Sequence, residues 1–174
     1  MSAMKRCQIA VIGSGASNPG DDDYSLAIEL GKELVDEGYR IVCGGLKGIM
    51  EAICKGAKSS LKYSEGMTVG VIPSLDINSS NPYVDITIAS GMSVARNQII
   101  IASSDAVIAI GGGAGTLSEI AFAWQLDKPI LAFNTIDGWS KELAGRSIDS
   151  KCDEKIFSCS DISQAITRLN SILR

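Results

Sequence analysis

The string Gly112-Gly113-Ala114-Gly115-Thr116-Leu117-Ser118-Glu119 packs glycines, a hydroxyl and a carboxylate into eight residues. Glycines let backbone N–H groups approach a ligand closely, and a helix starting here would add the positive end of its dipole. Together these make an anion seat, most simply for phosphate, at Gly112, Gly113, Gly115 and Thr116. Two further clusters have the same character: Gly13-Ser14-Gly15 and Gly44-Gly45-Leu46-Lys47-Gly48. Arg96 could clamp a phosphate bidentately, or could be a solvated arginine in a first helical turn. Glu119 could face a sugar in the same pocket. The Thr116/Glu119 spacing fits a capping box equally well, and both readings start a helix at Thr116.

The rest of the composition removes competitors. The 174 residues contain no histidine, which excludes a Ser-His-Asp triad, a Cys-His pair, a His-ligated metal and a His general base. A net charge of −4 argues against long-range attraction to nucleic acid or an anionic membrane. Gly31-Lys32 lacks the first glycine of a P-loop, because Leu26 stands there. The first turn reads Gly13-x-Gly15-x-x-Asn18, without the third glycine of a dinucleotide fingerprint, so NAD use is disfavoured. The five cysteines are odd in number, form no C-x-x-C and follow no signal peptide, as expected of free thiols in the cytoplasm. A Cys152–Cys159 disulfide stays open. Glu51 reads first as an acid complementing a helix dipole, Asp21, Asp22 and Asp23 as a solvated helix start, and Trp124 as core or subunit contact.

These groups need elements to position them. Apolar runs at 7–12, 40–43, 67–72, 84–89, 105–110, 130–133 and 155–157 read as strands. Amphipathic segments at 23–37, 48–60, 93–103, 116–127 and 161–173 read as helices between or after them. The fourth strand alternates, which predicts one solvated face, whereas 105–110 is apolar throughout. In the helix over 116–127, Leu117, Ile120, Ala121 and Trp124 are expected inward. Residues 134–151 resist assignment beyond one short helix. Strict alternation gives one doubly wound α/β domain over residues 1–174, a Rossmann-like parallel sheet of six or seven strands with helices on both faces. The three glycine clusters then share the edge where the strands end.

The 112–119 string resembles the G-G-x-G-T-x-x-E signature of the Lonely Guy (LOG)-type phosphoribohydrolases, once labelled lysine decarboxylases. The Gly-Ser-Gly turn, the 44–48 turn and the segment around Arg96 follow in the same order. The resemblance implies hydrolysis of the N-glycosidic bond of nucleoside 5′-monophosphates, with Arg96 and Glu119 as the catalytic pair and no required cofactor or metal. Two positions depart from the pattern. Ile110 or Gly111 replaces the proline before Gly-Gly, and Asn97 replaces a basic residue. With Gly48-Ile49-Met50-Glu51 and Asn81-Pro82-Tyr83-Val84, these look more like a sister branch, similar to molybdenum-cofactor carrier proteins. That branch implies a bound cofactor held unchanged in place of a nucleotide turned over. Either way the expected partners are a phosphorylated small molecule and a second copy of the chain.

Overall fold

The computed structural model describes residues 6–150 and 156–174. Seven strands form one parallel sheet: β1 (Gln8–Gly13), β2 (Arg40–Cys43), β3 (Thr68–Ile72), β4 (Ile86–Ala89), β5 (Ala106–Ile110), β6 (Ile130–Phe133) and β7 (Phe157–Cys159). Their spatial order is β4-β3-β2-β1-β5-β6-β7, so the direction in which strands are added to the sheet reverses between β1 and β5. The helices are α1 (Asp22–Asp36), α2 (Ile49–Lys58), α3 (Arg96–Ala102), α4 (Ala114–Gln125), α5 (Trp139–Leu143) and α6 (Ile162–Leu173). The expected doubly wound Rossmann-like architecture is what the chain adopts.

Strand alternation divides the buried side chains between two layers. Ile9, Val11, Ile41, Ala106, Ile108 and Phe133 pack against α1, α2 and α6. Ala10, Ile12, Val42, Val107, Ala109 and Ala132 pack with Ile100 and Ile101 of α3 and Ile120 and Ala123 of α4. All of β5 is buried, as its unbroken apolar run predicts. On the first face, α1 and α2 cross so closely that a Cβ on Gly31 would meet Ile53 O, and one on Gly56 would meet Ile28 O. The Gly31-Lys32 pair therefore serves helix packing.

Three expectations need correction. The β4 strand begins at Ile86, not Val84; just ahead of it the Asp85 side chain accepts hydrogen bonds from the Gly66 and Thr68 N–H groups at 3.0 and 3.2 Å. One face of β4 is indeed solvated, but it is the apolar face: Ile86 and Ile88 are exposed. The last strand starts at Phe157; Lys155, Cys152 and the Cys152–Cys159 pairing lie outside the described residues. In α6 the side chains facing the core are Ala165, Leu169 and, partly buried, Ile162, Ile166 and Leu173 in place of Ile172. Among the described residues Cys7, Cys43, Cys54 and Cys159 are free thiols, and no helix is long and apolar enough to cross a membrane.

Candidate functional site

The direction of strand addition reverses beside β1, and there a cleft of about 400 Å³ opens at the C-terminal edge of the sheet. Ligands bind at this switch point in open α/β sheets. Gly13, Ser14, Gly15, Gly44, Arg96, Asn97, Gly113, Gly115, Thr116 and Glu119 all line it. Gly45 and Gly112, the two remaining glycines expected in the site, do not. A Cβ on Gly45 would meet Gly70 and Ile72, so this glycine lets the turn settle on β3. Gly112 has φ +89°, and a Cβ there would strike the Thr116 side chain. Its role is to turn the chain under Thr116.

The three glycine turns differ in what they offer. Gly13-Ser14-Gly15 does not lead straight into a helix, since α1 begins only at Asp22. The 44–48 turn does, but the first amide of α2, Ile49 N–H, donates to Ser14 O at 2.9 Å. The third turn keeps its amides free. Helix α4 starts at Ala114, two residues before the expected start, with Gly113 as its N-cap. The first amides of a helix have no acceptor within it, and a Cβ on Gly113 or Gly115 would meet nothing within 4 Å. Gly113, Gly115 and Thr116 line the cleft, which sets this turn of unpaired amides and the positive end of the helix dipole at its wall.

This start also overturns the capping-box reading. Leu117 N–H donates to Gly113 O at 3.0 Å, so the chain is already helical at Thr116. Thr116 lies in the first turn and is buried, as is Glu119. The inward stripe of α4 is Thr116, Glu119, Ile120, Ala123 and Trp124, whereas Leu117 and Ala121 stay half-buried. Two polar side chains have replaced apolar ones on the inner face, and they point at the cleft. Trp124 is buried and donates its Nε1–H to Asp149 at 3.1 Å, as befits a core residue.

Arg96 opens α3 and reaches across the cleft floor. Its Nη1 stands 3.7 Å from Glu119 Oε1, with only 11% and 9% of the two side chains exposed. A cation at a helix N-terminus opposes the dipole, so local helix energetics do not explain this placement. Gly44 makes room for it: a Cβ there would meet both terminal guanidinium nitrogens and the Met50 sulfur. Arg96 Nε is buried and has no hydrogen-bond partner among the described residues. Burial lowers the arginine's pKa, against the opposing pull of Glu119. Burial likewise raises the Glu119 carboxyl to about 7, although Arg96 draws it down. An acid poised near neutrality in a cleft is a common mark of a working site. The first residue of the 3-10 turn leading into α3 adds strain: Ser93, which lines the cleft, has φ +48°.

The surroundings hold this constellation still. Asn97 Nδ2 donates to Ser118 Oγ at 3.0 Å, and Ser118 Oγ donates to Gly115 O at 2.7 Å, tying α3 to the amide turn. The buried Ser140 hydroxyl accepts from Gly111 N–H at 2.7 Å and donates to Phe133 O at 2.8 Å. Trp139 N–H and Ser140 N–H donate to Gly112 O and Gly111 O. The segment that resisted assignment thus carries α5, which braces the turn. Met50, Leu46 and Val94 also line the cleft and were not expected there. Their apolar side chains carry no chemical signal in the sequence.

The SLOG cluster4 family matches residues 6–166. The chain belongs to the SLOG cluster4 family. It thus sits within the LOG-like superfamily, beside the molybdenum-cofactor carrier branch, as its glycine strings suggest. This SLOG cluster4 chain is 42% identical over 127 residues to an uncharacterized protein of Archaeoglobus fulgidus, covering 73% of this chain and 80% of that one. It is 34% identical over 122 residues to a cytokinin riboside 5′-monophosphate phosphoribohydrolase of Mycobacterium tuberculosis, covering 66% of this chain and 62% of that enzyme. Among solved structures it resembles the molybdenum cofactor binding protein of Rippkaea orientalis, with TM-score 0.84, 34% identity and coverage of 99% and 100%.

Proposed function

We propose that this protein seats a phosphorylated nucleoside-type molecule in the cleft and hydrolyses its N-glycosidic bond. One observation carries the reading: a buried arginine and a neutral-range carboxyl face each other beside the free amides of α4. The Gly113–Thr116 amides and the Thr116 hydroxyl hold the phosphate, with Arg96 orienting the phosphosugar. The phosphate end is fixed at the α4 turn, so the ribose falls beside Glu119. As the bond between the anomeric carbon and the base nitrogen lengthens, positive charge grows on the sugar, and the Glu119 carboxylate stabilises it. Water adds to the anomeric carbon and loses a proton. The base leaves with the bonding pair and takes up a proton, giving free base and ribose 5-phosphate. The cytokinin-riboside phosphoribohydrolase relative supports this reaction class.

The test is incubation with a panel of nucleoside 5′-monophosphates and detection of free base. Wild-type protein releases base, and Glu119→Gln reduces release at least about 100-fold while nucleotide affinity stays within a few-fold. Intact binding with no release from any nucleotide overturns the hydrolase reading.

Asn97 in place of a basic residue, together with end-to-end similarity to the Rippkaea protein, favours a second reading as a carrier. The same cleft would then hold a phosphorylated cofactor, such as the molybdenum cofactor, and return it unchanged. Native mass spectrometry of freshly purified protein separates the two. A stoichiometric, intact cofactor supports the carrier, and a protein that neither carries nor takes up a pterin overturns it.

A further inference from the structure

A second recess of about 490 Å³ adjoins the cleft, and Gly15, Leu46 and Met50 line both. Its remaining walls come from Lys47, Glu51 and the 79–82 loop. Leu46, Met50 and Pro82 give it a largely apolar surface of the kind that suits a flat heterocycle. Most of its polar atoms are already used. Asn81 Nδ2 donates to Leu46 O at 2.8 Å, and its Oδ1 accepts from Tyr83 N–H at 3.1 Å. Ser80 Oγ donates to Ile77 O and accepts from Thr87. Ser79 Oγ pairs with Ser74.

Glu51 is different. It sits in the first turn of α2, where the helix dipole favours negative charge. The buried Tyr24 hydroxyl donates to its Oε1 at 3.2 Å and so anchors one carboxylate oxygen. Oε2 has no hydrogen-bond partner among the described residues. The recess therefore offers an oriented pair of acceptors beside an apolar floor. Adenine presents a donor next to an acceptor on its pairing edge, and the acceptor would meet a carboxylate oxygen. A 2-amino-4-oxopyrimidine ring presents two adjacent donors, the ring N–H and the exocyclic amine. That pair matches a carboxylate in a charge-assisted fork.

We propose that Glu51 is a specificity-determining residue that selects ligands carrying a 2-amino-4-oxopyrimidine edge, the edge common to guanine nucleotides and to phosphorylated pterins. The inference rests on the cleft holding the ligand's phosphate, and it applies equally to a substrate and to a carried cofactor. Tyr24 is a positioning residue for the carboxylate.

The experiment measures Kd by calorimetry for GMP, IMP, AMP, neopterin monophosphate and ribose 5-phosphate, in the Glu119→Gln background to prevent turnover. IMP lacks only the 2-amino group. GMP or the pterin is expected to bind at least tenfold tighter than IMP, with AMP weakest. Whichever of GMP and the pterin is tighter identifies the source of the edge. Adding Glu51→Gln, which retains an acceptor for Tyr24, brings GMP to within about threefold of IMP and leaves ribose 5-phosphate unchanged. Equal affinities for GMP, IMP and AMP, alongside measurable binding of ribose 5-phosphate, overturn the Glu51 assignment and leave the phosphate seat standing. Failure of ribose 5-phosphate and every nucleotide to bind overturns the phosphate seat itself.

Discussion

Glu119 illustrates how much one buried carboxyl can govern. Its pKa of about 7 in the folded protein lies above the 4.5 of an ordinary glutamate. The folded state thus holds this proton more tightly than the unfolded chain does. The stabilisation is complete below about pH 4.5 and is lost as the pH rises through about 7. Relative to Glu119→Gln, the wild type should lose up to about 3 kcal/mol between pH 4.5 and pH 8, read from urea melts at the two pH values. Base release should rise with pH and level off above about 7, because the carboxylate form stabilises the sugar cation. Gly44 gives a second expectation at this scale. In Gly44→Ala the new methyl meets Arg96 and Met50. We expect a loss of about 1–3 kcal/mol in stability, and ligand affinity should fall with it as the guanidinium is displaced.

At the scale of elements, the site depends on α5, a helix of five residues that touches no ligand in the proposed arrangement. Its Ser140 hydroxyl bridges the Gly111 amide at the end of β5 and the Phe133 carbonyl at the end of β6. Ser140→Ala leaves a buried donor and a buried acceptor without this partner. The expected cost is about 1–3 kcal/mol, measured by denaturant titration. Phosphate-ligand affinity should weaken as well, since the turn that aims the α4 amides is no longer pinned. The α1–α2 crossing supplies a contrast. Gly56→Ala forces the two helices apart at Ile28 O. It should destabilise the fold comparably while leaving the affinity of the residual folded protein close to wild type.

Over the whole molecule, the exposed apolar side chains are unevenly spread. Leu75, Ile77, Ile86, Ile88, Met92 and Val94 are all exposed along the β4 edge and the segments beside it. Val94 also lines the cleft, so this strip reaches the site rim. An open edge strand with its apolar face outward is a surface that proteins normally cover. We expect a second copy of the chain to cover it, which fits the self-association implied by the LOG-like sequence signature. Ile88→Lys should shift the mass measured by light scattering towards that of the monomer, 18.3 kDa, and the wild type should be at least twice that.

The sequence by itself determined the α/β alternation, the parallel sheet and the placement of three glycine turns on one edge. Each of these follows from local signals: period-two or unbroken apolar runs, helical stripes and glycine at strand ends. It also singled out Arg96 and Glu119, through residue type and the signature they belong to. It placed the start of α4 two residues late and expected Leu117 and Ala121 inward beside Ile120 and Trp124, because amphipathic patterning assumes polar side chains face outward. Thr116 and Glu119 face inward, and their T-x-x-E spacing imitates a cap. It allowed one short helix within 134–151 but neither its bounds nor its bracing role, since a brace built on one serine and positive-φ glycines has no period to detect. Only the tertiary structure brought Gly44 beneath Arg96, joined the Glu51 recess to the cleft and turned the apolar side of β4 to solvent. Those juxtapositions unite residues distant in the chain, and their energies arise from burial and contact that no local window contains.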